Sequence, residues 1–318
     1  MAERKENQWE RNVIEKIASD SLSEQRKTRR WGIFFKLLTL FYLSIILIFV
    51  ITSGRSQVPS SGEFSALIKI NGVIGTGLDV SAEDVISSLK DAYSYSGTEA
   101  IILEINSPGG SPVQSGMIND EIRRGQQMYP DIPVYAVVQD ICASGGYYIA
   151  VAADKIFVDK ASIVGSIGVR IDGFGFEEII KKIGVERRLI TSGENKGILD
   201  PFLPVPPKQS VFIKQLLDEV HKQFIDVVKQ GRGDKLSMNP DIFSGLFWNG
   251  DRAITLGLVD DFGTVDSVAR EIVRNEEIVD FTIYDSFGDT LAEKIGVGIG
   301  GSIGNSFMNK IKENIVIK

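Results

Sequence analysis

The chain has 318 residues, of which 43% are hydrophobic and 24% charged, with a net charge of −7. That balance excludes a disordered or wholly membrane-embedded chain and gives no electrostatic footing for nucleic acid. A single cysteine and a single histidine exclude an intrachain disulfide framework and a His/Cys metal site.

Residues 1–30 are polar and mixed in charge. From Trp31 to Thr52 (WGIFFKLLTLFYLSIILIFVIT) the only charge is Lys36, and a bilayer needs about 20 apolar residues in a helix. Arg26, Lys27, Arg29 and Arg30 precede this run and only Arg55 follows closely. The asymmetry predicts a cytoplasmic N-terminus, a transmembrane helix over 31–52 and an extracytoplasmic remainder. A cleaved signal peptide is the alternative, but its charged region would be unusually long and TSGRSQV lacks an A-x-A site. Residues 53–63 read as a Ser/Gly/Pro linker, 64–285 as one domain and 286–318 as a Gly-rich tail.

Within the domain, strands and helices alternate. Ser65–Ile70 reads as a strand, and Ser81 caps a helix running to Tyr93. Ala100–Ile105 (AIILEI) is a nearly continuous apolar strand, followed by the turn NSPGG and a helix from Val113 to about Met128. Pro133–Val138 is the next strand, then QDICASGG and a helix over Gly145–Ala152. Lys155–Val158 and Ile167–Ile171 read as short strands, Glu177–Lys182 as helix and Arg187–Thr191 as extended. A long amphipathic helix spans Lys208 to about Gln230, its stripe formed by Phe212, Leu216, Val220, Phe224 and Val227. Short helices over Pro240–Phe247 and Val265–Arg274 and an extended piece at Val279–Tyr284 complete the pattern. Apolar strands alternating with helices predict an α/β sheet covered on both faces.

Ligand sites in such sheets gather at the carboxyl ends of strands. Two of those ends carry paired glycines, Asn106-Ser-Pro-Gly-Gly110 and Ala143-Ser-Gly-Gly146. Backbone amides there can hold an oxyanion, and Ser144 can be a nucleophile, although Ser is equally a favoured N-cap. His221, inside the long helix beside Val220, reads as structural, which argues against a Ser-His-Asp triad. Lysine is the remaining base, because burial disfavours its charged form. Lys155, Lys160, Lys181, Lys182 and Lys196 are candidates; local sequence does not choose among them. Cys142, two residues from Ser144 and following an apolar strand, reads as a small buried hydrophobe. The tail's G-x-G-x-x-G at Gly296–Gly301 lacks a preceding strand and a later ribose-binding acid.

NSPGG, CASGGYYIA, IVGSIGV, SGENKG and FWNGDRAITLGLVDDFG occur in one order over Ala66–Ser267. In that order and spacing they resemble the bacterial signal peptide peptidase A family in its single-domain form. The resemblance implies the ββα spiral of the Clp protease and crotonase superfamily and a Ser-Lys serine peptidase. It implies Ser144 as nucleophile, Lys196 as general base, Ser166 as the hydroxyl orienting the lysine, and Gly109 with Gly145 as oxyanion donors. One departure is Asn195, where the family often carries an aromatic residue. No metal or cofactor is implied. The expected partners are remnant signal peptides, the lipid bilayer of the bacterial cytoplasmic membrane and further copies of the chain. The alternatives are a crotonase-like acyl-CoA enzyme and a catalytically silent membrane scaffold of the same fold.

Overall fold

The structure is a computed structural model and describes residues 16, 17, 21, 24–45 and 62–283. Residues 24–45 form helix α1, with every side chain exposed. The rest of the expected span, 46–52, lies outside the described residues, as do most of the linker and the Gly-rich tail. Among the described residues no helix is long and apolar enough to cross a membrane.

The unit over residues 57–283 is built on a sheet of eight strands ordered β6-β5-β3-β2-β1-β8. Here β1 is Phe64–Ile74, β2 Thr98–Gly110, β3 Val134–Ala143, β5 Ile163–Gly165, β6 Phe247–Asn249 and β8 Ile278–Asp280. Strand β4 (Lys155–Val158) pairs with β3 and with β7 (Asp261–Phe262). All pairings are parallel except β5 with β6. β4 runs beside Tyr135–Val137 and β5 beside Ile141–Ala143. Both therefore lie along the edge of β3 opposite β2, one beside its first half and one beside its end.

The near-continuous apolar runs are explained by burial on two faces. Ile101, Leu103 and Ile105 belong to the larger core beneath α2 (Ala82–Ser94), α3 (Pro112–Met128) and α4 (Gly145–Ala150). Ile102, between them, joins Leu67, Val137 and Phe157 under Val268 and Ala269 on the opposite side. Fully burying such a side chain contributes about 1.5–3 kcal/mol.

Several elements depart from the sequence reading. NSPGG is not a turn beyond β2 but its last stretch, because β1 also extends, and Val73 and Ile74 pair with Gly109 and Gly110. Ile167–Ile171 is not a strand; the strand falls earlier, at β5, inside the stretch around ASIVGSIG. Residues 187–191 form no strand and are exposed. Phe247, read as the end of a helix, instead opens β6, which pairs with β5. After the short α5 (Glu177–Lys182), the amphipathic helix is present as α6 (Pro207–Arg232), but only its second half is packed. Phe224 and Val228 are buried, with the Phe224 ring 5.0 Å from that of Tyr148, whereas Phe212 and Leu216 are exposed.

Candidate active site

β3 ends at Ala143, and the chain turns at Ser144 straight into the short helix α4. Ser144 has φ 52° and ψ −119°, a region where a side chain costs about 1–3 kcal/mol and which persists only when the surroundings enforce it. They do so from both sides. The Ser144 N–H donates to the Gly165 carbonyl at 2.9 Å, and its own carbonyl accepts from Tyr148 N–H at 2.9 Å. Its side chain makes no capping hydrogen bond and is half-buried. The N-cap reading is thereby not met: the hydroxyl stands at a strained turn without the bond a cap would make.

The two glycine-bearing strand ends meet here. Gly109, at φ 101°, holds a conformation that disfavours any side chain, and a methyl on it would lie 2.7 Å from both Gly145 N and Ser144 Cβ. Its amide, expected as an oxyanion donor, is directed elsewhere and donates to Ser107 Oγ at 3.1 Å. Ser107 Oγ in turn donates to the Gly72 carbonyl of β1 at 2.6 Å. On the same side, Ser111 N–H donates to the Ile74 carbonyl at 2.7 Å. Successive amides of an extended strand point to opposite sides. The Gly110 N–H, lying between those two, points away from β1 and toward α4. A methyl on Gly145 would be 3.1 Å from that nitrogen, and Gly110 is exposed whereas Gly109 is buried. The sequence reading did not name Gly110. Two adjacent glycines in a strand cannot both aim amides one way, and only the register with β1 decides between them.

Ser166 is brought to the same place by backbone pairing. Ala143 and Gly165 are ladder partners, so the Gly165 carbonyl that holds Ser144 immediately precedes Ser166. Ser166 has φ 53°, is half-buried, and donates its N–H to the Leu246 carbonyl at 2.8 Å. His221 lies on α6 with Nε2 3.0 Å from the Ile167 carbonyl oxygen, and is hydrogen-bonded to backbone rather than to Ser144. Cys142 is fully buried, and desolvation pushes its thiol pKa up, so it is no thiolate nucleophile.

No hydrogen bond joins Lys196 to Ser144 among the described residues. This lysine lies in an exposed loop, its backbone N–H bonded to the Gly193 carbonyl, and its amine has no hydrogen-bond or ion-pair partner among the described residues. Of the other lysines, Lys181 is paired with Glu177 at 2.6 Å and Lys160 sits 5.7 Å from the Phe262 ring centroid. The structure thus brings Ser144, Gly109, Gly110, Gly145 and Ser166 together, and Lys196 makes no hydrogen bond to any of them among the described residues.

A profile described as peptidase family S49 matches residues 127–278. A putative protease of Methanocaldococcus jannaschii is 30% identical over 235 residues, covering 72% of this chain and 75% of that protein. A putative signal peptide peptidase of Enterococcus faecium is 27% identical over 248 residues, covering 76% of this chain and 72% of that protein. A Brucella abortus protein named Na(+)/H(+) antiporter NhaA is 45% identical over 210 residues, 64% of this chain, but the match spans only 28% of its length. The chain belongs to peptidase family S49, the signal peptide peptidase A family.

Proposed function

We propose that this chain is a membrane-anchored serine endopeptidase that degrades remnant signal peptides with a Ser144–Lys196 dyad. The observation that carries the reading is the uncapped Ser144 hydroxyl on a strained, half-buried turn packed closely against the Gly109–Gly110 strand end. Enolate chemistry on an acyl-CoA needs paired amides but no strained serine, so the site favours acyl transfer. The Lys196 amine takes the proton of Ser144 Oγ as that oxygen attacks a peptide carbonyl carbon. Gly145 and Gly110 N–H groups hold the resulting oxyanion, where one donor is worth about 10²–10³ in kcat. Collapse expels the amine, which takes the proton from the lysine, and water then releases the acyl group by the same route. Ser166, beside Ser144 through the Gly165 carbonyl, orients the lysine.

A lysine base needs desolvation to stay neutral, and Lys196 is exposed in the single chain. Its burial therefore comes from assembly with further copies. The region around it and the free half of α6 carry apolar side chains in water, among them Phe174, Ile183, Ile190, Phe212 and Leu216. Large exposed apolar surface of this kind marks an interaction face. The apolar run at 31–52 anchors the chain in the bacterial cytoplasmic membrane with the peptidase unit outside, beside hydrophobic peptides left in the bilayer. The test is turnover of a hydrophobic signal-sequence peptide by the detergent-solubilised full chain. Ser144→Ala and Lys196→Ala are each expected to remove it; full activity in either variant overturns the dyad.

A further inference from the structure

The Gly109 amide is bonded to a hydroxyl that no part of the proposed reaction uses. Ser107 is completely buried, yet its hydroxyl is satisfied twice: it donates to the Gly72 carbonyl at 2.6 Å and accepts the Gly109 N–H at 3.1 Å. Gly72 and Gly109 lie on two strands whose pairing shifts register between Asn71 and Val73. Ser107 fills that irregularity, bridging the carbonyl on one strand and the amide on the other. Beyond the shift the ladder resumes, with Val73 and Ile74 opposite Gly109 and Gly110. On the far side, Asp79 Oδ2 accepts the Val73 N–H at 2.8 Å, holding the end of β1 in place.

The consequence falls on Gly110. An amide plane between two glycines has little side-chain restraint on its rotation. With the Gly109 N–H tied to Ser107 on the β1 side, the next N–H along the strand is turned to the Ser144 side. Without the hydroxyl, the buried Gly109 N–H and the Gly72 carbonyl are both left without that partner, an arrangement that costs enough to drive local rearrangement. We propose that Ser107 is a positioning residue for the oxyanion hole: its hydroxyl fixes the Gly109–Gly110 backbone so that the Gly110 amide faces the Ser144 turn. This inference rests on the peptidase reading above and adds a role that reading does not require.

An oxyanion hole binds the tetrahedral state better than the bound substrate, so its disturbance has a signature that a loss of fold does not. The experiment uses the full chain in detergent, with wild type, Ser107→Ala and Ser107→Cys compared on one fluorogenic peptide, on a peptide aldehyde that forms a tetrahedral adduct, and on the corresponding peptide acid. Ser107→Ala is expected to lower kcat about 10- to 100-fold, below or up to the loss of a whole donor, with KM and the affinity for the acid within twofold. Affinity for the aldehyde is expected to fall in parallel with kcat. Ser107→Cys, which keeps a weak donor and acceptor of similar size, is expected to fall between the two. If Ser107→Ala does not fold, the Cys variant carries the same comparison. Equal losses in acid and aldehyde affinity, or unchanged kcat and aldehyde affinity in a folded variant, overturn the positioning role. Failure of wild type to turn over peptide or to bind the aldehyde overturns the peptidase reading itself.

Discussion

Ser144 concentrates what a side chain can be made to do by its backbone. Its φ of 52° and missing cap bond are costs carried for no visible structural return. Ser144→Ala is therefore expected to remove peptidase turnover while leaving Tm within a degree or two, measured by calorimetry beside a peptide-release assay. Gly109→Ala is expected to cost stability as well as turnover. Its positive φ and the 2.7 Å approach to Gly145 N and Ser144 Cβ predict a loss of about 1–3 kcal/mol and a Tm lower by several degrees. Cys142→Ala is expected to keep activity, since that thiol lies in the core. The candidacy of Ser144 was legible because a second glycine pair stands at another strand end; taken alone, the serine fits an N-cap equally well. The direction of each glycine amide was not, because it depends on how β1 extends alongside NSPGG, and residues some 35 positions away determine it.

The long helix shows the same division between local pattern and tertiary decision. Periodicity placed α6 nearly to the residue, yet could not tell which half of its stripe is packed. What fixes its end is a buried ionic cluster. Arg232, 3% exposed, donates to the Gly257 carbonyl at 2.9 Å and to both Asp260 carboxylate oxygens at 2.7 and 3.1 Å. Lys235 and the Ile156 N–H also bond to that carboxylate, at 2.7 and 2.8 Å. Burial alone would raise the Asp260 pKa, but these donors together pull it down to about 2. A carboxyl depressed in this way stabilises the fold at neutral pH, by about 2 kcal/mol. That contribution is lost as pH falls from about 4, where the unfolded chain takes up the proton, through about 2. Asp260→Asn is expected to lower stability at pH 7 and to flatten its dependence over that window, as denaturant titrations at pH 7, 4 and 2.5 would show. An unchanged profile would mean the cluster carries no such weight. Short strands such as β5 and β6 escaped the sequence reading for a related reason: three residues carry too little pattern, and their pairing with each other and with β3 is what makes them strands.

For the molecule as a whole, the exposed apolar surface and the exposed Lys196 lead to one expectation of the proposed mechanism: the working site is completed by assembly. Phe212→Glu, on the free half of α6, is expected to shift the solubilised protein toward monomer in light scattering. Turnover should fall with it, while the Tm of the subunit changes little. An unaltered assembly state would remove α6 from the interface. The motifs made the family legible across most of the peptidase unit, but nothing in the local sequence says what covers Lys196, which lies in an exposed loop. The most direct test of the central claim is mass-spectrometric mapping of a fluorophosphonate adduct on the full chain, in wild type and in Lys196→Ala. The account predicts a single adduct on Ser144 that forms quickly in wild type and at least about 100-fold more slowly without the lysine, the scale of a lost general base. An adduct on another residue, or labelling of Ser144 at the same rate in both proteins, would contradict it.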